Sequence, residues 1–312
     1  MMPRRDGYRR RTVINMASAI ALFCAIMLDA VIWQWIVAGW AGAPPRPGIH
    51  FLDVARGGAA LAVFPGGVTV LDGAGADETV VGELAKALPQ DESRIDIAVI
   101  PYPSKETWGG YASILDHYSI GTFIYNGRND IADKADWQAL VAKIGAKRIP
   151  IVTVGAGDRI FCGTGCQIDI LSPDDDFVRS AEPRDTAIVL RAALSSSSAV
   201  AETGMSAFLP SDAGANVMER VGASGYDLRA DILMAPFPAL ASPSSTFAQA
   251  FLRAVAPRVV MLARGTKGTP TAPPKAAAAW LASSTNARVI SVPASGTVGI
   301  VPQKGGFLLY ND

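Results

Sequence analysis

Ala98-Val-Ile-Pro-Tyr-Pro-Ser-Lys-Glu-Thr-Trp-Gly-Gly-Tyr111 is the stretch on which the reading of this chain turns. Its first residues finish an apolar run, Ile95–Ile100, that reads as a short buried strand. The run empties into a turn-rich segment that ends in the pair Gly109-Gly110.

Outward from this stretch the chain alternates strands and helices. Upstream, Ile49–Val54, Ala59–Phe64 and Val68–Leu71 read as strands, the last two joined by Pro65-Gly66-Gly67. Asp77–Leu88 has helical spacing, with Val80, Val81, Leu84 and Leu88 apolar and Asp77 and Glu78 in the first turn. Downstream, strands are expected at Gly121–Tyr125, Ile149–Thr153, Arg159–Phe161, Gln167–Leu171 and Ala187–Ala193, and a helix at Lys134–Ile144. The alternation then repeats. Strands are expected at Ser206–Leu209, Ile232–Ala235, Val259–Leu262, Val289–Val292, Val298–Val301 and Phe307–Tyr310, and helices at Gly214–Val221, Thr246–Val255 and Lys275–Ala282. Ser195–Ser198 reads as a hairpin loop. Two comparable halves of this kind predict an α/β (α+β four-layer) sandwich, two mixed sheets with helices outside.

The N-terminus is different. Val13–Trp40 is long and apolar enough to cross a bilayer. Arg4, Arg5, Arg9, Arg10 and Arg11 precede it, which places the N-terminus in the cytoplasm, and Trp33, Trp35 and Trp40 cluster at the far end. The expected organisation is a basic segment at 1–12, a transmembrane anchor at 13–40, a Pro/Gly linker at 41–48 and an extracytoplasmic domain at 49–312. A cleaved signal peptide ending at Ala41-Gly42-Ala43 is the alternative. Asp29 inside the run marks a partner helix or a tolerated charge.

Composition narrows the chemistry. Residues 41–312 carry three more acids than bases, so nothing suggests a face for a nucleic acid backbone. The chain has two His, His50 and His117, and three Cys. A dinuclear zinc hydrolase draws four or five His from its chain, and this one lacks them. Cys162-Gly-Thr-Gly-Cys166 reads as a tight hairpin that sets two thiols face to face. A disulfide is the first reading. A metal-binding pair is the rival, and it lacks two further ligands. Asp174-Asp-Asp176 reads as a solvated turn.

The order of segments resembles the metallo-β-lactamase-like domain of the ComEC-type DNA-internalisation competence proteins, over nearly all of 49–312. Phe51-Leu-Asp-Val-Ala-Arg-Gly-Gly-Ala59 resembles that family's F-L-D-V-G-Q-G-D-A opening, and Val70-Leu-Asp-Gly73 its L-I-D-G. Arg184-Asp-Thr-Ala-Ile-Val-Leu-Arg191 resembles its N-x-x-S-L-V-L-R strand, and Ala207-Phe-Leu-Pro-Ser-Asp212 its L-x-G-D segment. Ala230-Asp-Ile-Leu233 resembles the strand before its His-His-Gly-Ser loop. The family's metal loop, Thr-His-x-His-x-Asp-His-x-Gly-Gly, falls on the opening stretch. There Tyr102, Ser104 and Thr107 stand for the three His, Glu106 for the Asp, and Gly109 and Gly110 are kept. Phe237 lies in the segment replacing the second His loop, and Thr269 replaces the last His.

The resemblance implies a former metal site. Zinc or manganese is expected of the family, and its ligands are absent here, so no cofactor is expected. Tyr102, Ser104, Glu106, Thr107, Trp108, Asp212, Phe237 and Thr269 are the expected lining of the former cleft, with Tyr102, Trp108 and Phe237 making it apolar. The leading expectation is a membrane-anchored, non-catalytic protein that binds or supports a partner, through the anchor helix or the cleft, in an envelope or DNA-uptake assembly. A residual metal-dependent hydrolase of nucleic acid or phosphoesters, using Glu106 and Asp212, is the alternative, and a purely structural anchor domain is a third.

Overall fold

The computed structural model describes residues 27–29, 47–128, 133–163, 165–180, 182–198, 201–235, 246–266 and 275–311. The chain divides into two units, Met1–Pro44 and Pro45–Asp312. In the first, residues 27–29 are described and are helical. The rest of the expected anchor, the basic segment and residues 41–46 lie outside the described residues. No helix among the described residues is long and apolar enough to cross a membrane.

The second unit is built in two halves of like plan. In the first half β1 (Gly48–Phe51) leads through a short β2 (Arg56–Gly58) to β3 (Ala60–Val63) and β4 (Thr69–Asp72), and β1, β3 and β4 pair antiparallel. From β4 the direction is kept. β5 (Arg94–Val99), β6 (Ser119–Tyr125) and β7 (Ile151–Thr153) add in parallel. Helix α1 (Thr79–Ala87) returns the chain from β4 to β5, α2 (Lys105–Trp108) and α3 (Tyr111–His117) from β5 to β6, and α4 (Lys134–Ala146) from β6 to β7.

The second half repeats this. β8 (Arg159–Phe161), β9 (Cys166–Ser172), β10 (Val189–Ser198) and β11 (Ala201–Leu209) form an antiparallel meander. β12 (Ile232–Met234), β13 (Val259–Leu262) and, after β14 (Arg264–Thr266), β15 (Arg288–Ser291) extend it in parallel. Their crossovers carry α5 (Ala215–Ala223), α6 (Thr246–Val255) and α7 (Lys275–Ser284). After α8 (Val292–Ser295), β16 (Val298–Gln303) and β17 (Gly306–Asn311) return to the first sheet beside β1. The result is an eight-stranded and a seven-stranded mixed sheet, with β14 and β2 forming a separate antiparallel pair.

Strand alternation sets the layers. Along β5, Ile97 and Val99 face one way and Ala98 the other; along β13, Val259 and Met261 face opposite to Val260 and Leu262. The first set of each strand joins one core between the sheets, together with Ile168, Leu190 and Ile232. The outer face of the first sheet packs on Leu84, Trp108, Tyr111 and Leu140 of α1 to α4. The outer face of the second packs on Val217, Phe251 and Leu281 of α5 to α7. These are the two mixed sheets with outer helices that the sequence predicts.

Three local expectations are corrected. Ser195–Ser198 is not a hairpin loop but strand, paired with Ala201–Gly204. The main-chain pairing with β11 decides, and serine composition does not signal it. Lys105–Trp108 is helix rather than open loop. The strands β2 and β14 go unforeseen, because Arg56-Gly57-Gly58 shows no alternation. Cys162 and Cys166 are joined by a disulfide across the β8–β9 turn, with Cα atoms 5.2 Å apart, inside the usual span.

Candidate functional site

The antiparallel-then-parallel plan brings the carboxyl ends of β1, β4, β5, β6, β9 and β11 to one edge. That edge is where open α/β sheets present loops free to bind. Main-chain bonds lock the loops together. Gly73 N–H donates to Val99 O (3.1 Å), Ala74 N–H to Thr107 O (2.8 Å) and Gly110 N–H to Gly75 O (3.1 Å). Ile188 N–H donates to Pro101 O (2.7 Å), and Asn126 Nδ2 to Thr186 O (2.7 Å), tying the loops of the first sheet to the segment that enters β10 of the second.

This closeness explains the Gly pair. A Cβ at Gly110 would sit 2.1 Å from Ala74 O, and one at Gly109 would sit 2.3 Å from Ala76 O. Gly57, at φ +82°, is the counterpart on β2, where a Cβ would lie 1.9 Å from Glu106 O. The glycines permit backbone to touch backbone; they need no metal to account for them.

Within this frame the residues singled out from sequence separate. Thr107 Oγ1 donates into the carbonyls of Tyr102 and Ser104 (2.8 Å each) and closes the turn that starts α2. Tyr102 buries its ring against the second sheet's helical layer and donates its hydroxyl to Asp212 Oδ2 (3.3 Å). Asp212 is itself buried, at 8% exposure. Trp108 is 2% exposed and packs edge-on against Trp137 (5.5 Å), inside the core under α4. The expectation that Trp108 lines a cleft is therefore corrected: the turn of α2 points the indole inward. Phe237 and Thr269 lie outside the described residues.

Tyr102, Ser104 and Glu106 do border an open depression, of about 580 Å³. Sequence reasoning missed its other polar groups: Arg56, Lys105, Asp133, Glu182 and Arg184. They arrive from β2, α2, the start of α4 and the turn before β10, and only the fold unites them. Both arginines stand in segments already singled out, at positions that depart from the compared pattern, which was the available signal. The lining among the described residues is mostly polar. Lys105 Nζ is held by Asp136 Oδ2 at 2.5 Å.

Beneath the edge, Asp72 ends β4. It is 3% exposed, and its Oδ1 has no hydrogen-bond partner among the described residues. Burial pushes its carboxyl up to about 8, so it is protonated at neutral pH. Tyr111 lies close by, its hydroxyl donating to Val99 O (2.6 Å) and Leu71 O (3.1 Å); burial, with Asp72 adding to it, raises its ionisation well above the ordinary range. The two His lie elsewhere. His50 is on β1 with its ring edge-on to Tyr310 (5.9 Å) and is held neutral by burial, its pKa lowered to about 4. His117 is exposed at the end of α3. Among the described residues no three His, Cys, Asp or Glu side chains are grouped to hold a metal ion.

Neither a protein-family model nor a curated protein sequence matches the chain. Solved structures do. A CmlA beta-hydroxylase mutant aligns over 80% of this chain and 53% of its own, at 12% identity and TM-score 0.49. CmlA, a diiron beta-hydroxylase from Streptomyces venezuelae, aligns over 70% and 44%, at 12% identity and TM-score 0.41. A metallo-beta-lactamase from Cronobacter sakazakii, carrying mutations in its HARLDQ motif, aligns over 67% and 90%, at 15% identity and TM-score 0.40. The chain spans about half the length of the CmlA chains it matches.

Proposed function

We propose that the chain is a membrane-anchored protein of the metallo-β-lactamase-like fold, akin to the ComEC competence domain, that binds a ligand or partner at its loop edge and does no metal chemistry there. The observation that carries this is the use made of two positions where the resemblance has metal-binding His. Thr107 Oγ1 bonds two carbonyls of its own turn, and the Tyr102 hydroxyl bonds Asp212. Both side chains act in holding loops closed. Glu106 lines the depression while Asp212 accepts from Tyr102 below it, so the two carboxylates of a residual hydrolase are not presented together on the open surface.

The anchor rests on Val13–Trp40 and the five preceding arginines. With the N-terminus cytoplasmic, the domain lies outside, where the Cys162–Cys166 disulfide persists. Membership of an envelope or DNA-uptake assembly rests on the sequence resemblance alone. Hydrolysis assays test the non-catalytic role. The full chain, incubated with zinc or manganese, should cleave neither single-stranded DNA nor a phosphodiester above the level of Asp212→Ala. Metal-dependent turnover abolished by that substitution would establish a hydrolase instead.

A further inference from the structure

The loop edge holds groups that the closing bonds leave unused. Arg56 and Arg184 both border the depression beside Ser104. Arg56 opens β2 and is partly exposed; Arg184 is exposed on the short 3₁₀ turn at Pro183–Thr186. Among the described residues neither guanidinium has a side-chain hydrogen bond or an ion pair. Four other surface arginines have acidic partners (Arg94 with Asp96, Arg159 with Asp169, Arg220 with Asp176, Arg258 with Asp231), while exposed Arg148, Arg179, Arg229, Arg253 and Arg288 have none among the described residues; what sets Arg56 and Arg184 apart is that both border one depression. Of the acids beside Arg184 in sequence, Glu182 accepts from the backbone N–H of Arg184 at 3.4 Å and Asp185 accepts from Ser180 Oγ at 2.9 Å. A guanidinium presents five donors in a planar fork that matches carboxylate and phosphate oxygens. Two such forks on one concavity, neither paired with a carboxylate among the described residues, leave room for an anion from outside.

We propose that this depression is a binding site for a small organic oxyanion, held by the Arg56 and Arg184 side chains with the Ser104 hydroxyl beside them. The site deepens, and rests on, the binding role proposed above. Its charge argues for a small ligand. Among the described residues of the lining, three cations (Arg56, Lys105, Arg184) stand with three acids (Glu106, Asp133, Glu182), so their formal charges cancel. A polyanion gains affinity from a run of cations that releases many counterions, and the described lining offers no such run. A single oxyanion group meets the two guanidinium groups locally and is indifferent to the balance. The volume, about 580 Å³, is that of a small-molecule site.

The test is calorimetric titration of the full chain, in buffer freed of metal by chelating resin, with inorganic phosphate, with citrate and with a short DNA duplex. The expected result is saturable one-to-one binding of phosphate or citrate. Affinity should fall about tenfold or more in R56Q and in R184Q, the size expected for losing one charge-assisted pair. R253Q, on exposed α6 outside the lining, should titrate as the parent. Because Arg184 is exposed on a turn, R184Q keeps the test valid if R56Q folds poorly. No saturation by either anion, parental affinity in R184Q, or tighter binding of the duplex than of both small anions would overturn the proposal. Metal-dependent hydrolysis is read separately, so loss of the oxyanion site would leave the non-catalytic role standing.

Discussion

Replacing Asp72 with Asn probes how the edge of the first sheet is built. Asp72 is buried at the end of β4 with one carboxyl oxygen unpaired, and burial raises its pKa to about 8. In the unfolded chain the same group titrates near the ordinary value of about 3.9. The folded state thus binds more protons than the unfolded state across the interval between these values. Stability from the protonated form is fully present below pH 4 and is lost as pH rises through 8. Each pH unit within the interval costs about 1.4 kcal/mol. His50 titrates in the opposite sense, but only below pH 6.5, so the range from 6.5 to 8 isolates Asp72 from it. Over that range the parent should lose about 1.5 to 2 kcal/mol more than Asp72→Asn, whose amide does not ionise. Urea unfolding of the full chain at pH 6.5, 7.2 and 8.0 measures this directly. The absolute stability of the variant can move either way, since an amide adds a buried donor. The difference in slope is the result that counts. Parallel pH dependence in parent and variant would refute the claim that Asp72 is folded in its neutral form.

Further outcomes test other parts of the account. His50→Gln should remove an acid-side loss of about 2 kcal/mol between pH 6.5 and 4.5, because the lowered pKa of His50 makes the folded state resist protonation there; urea unfolding across that range measures it. Trp108→Ala should destabilise by about 3 to 5 kcal/mol through loss of the Trp137 contact and the cavity left behind, seen in the unfolding midpoint, without weakening ligand binding by the folded fraction. Cys162→Ser with Cys166→Ser should cost about 2 kcal/mol, since the five-residue loop they close is short, and mass measurement before and after reduction reports the bond itself.

The architecture was legible because its signals are local. Runs such as Ile95–Ile100 and Val259–Leu262 are short, apolar and bounded by turn residues, and the helices of the second half carry apolar spacing. The strands β2 and β14 were not legible. Arg56–Gly58 pairs with Arg264–Thr266, about two hundred residues away, and such pairing leaves no pattern in either segment. At the site, the sequence marks the loop but not the direction of its side chains. Trp108 beside a Gly pair reads alike whether it faces a cleft or the core, and the four-residue helix α2 decides. Asp212 looked like a remaining ligand, yet its partner is the hydroxyl of a residue 110 positions earlier. Arg56 and Arg184 gain meaning only when β2 and the turn before β10 meet at one depression.

The most direct test of the central claim is the metal content of the purified full chain after incubation with zinc and with manganese, followed by desalting. The account predicts less than about 0.1 equivalent of tightly bound metal, because the described loop edge groups no imidazole or thiolate ligands with its carboxylates. One or two equivalents, lost in Glu106→Gln or Asp212→Asn, would contradict it and make the edge a metal centre.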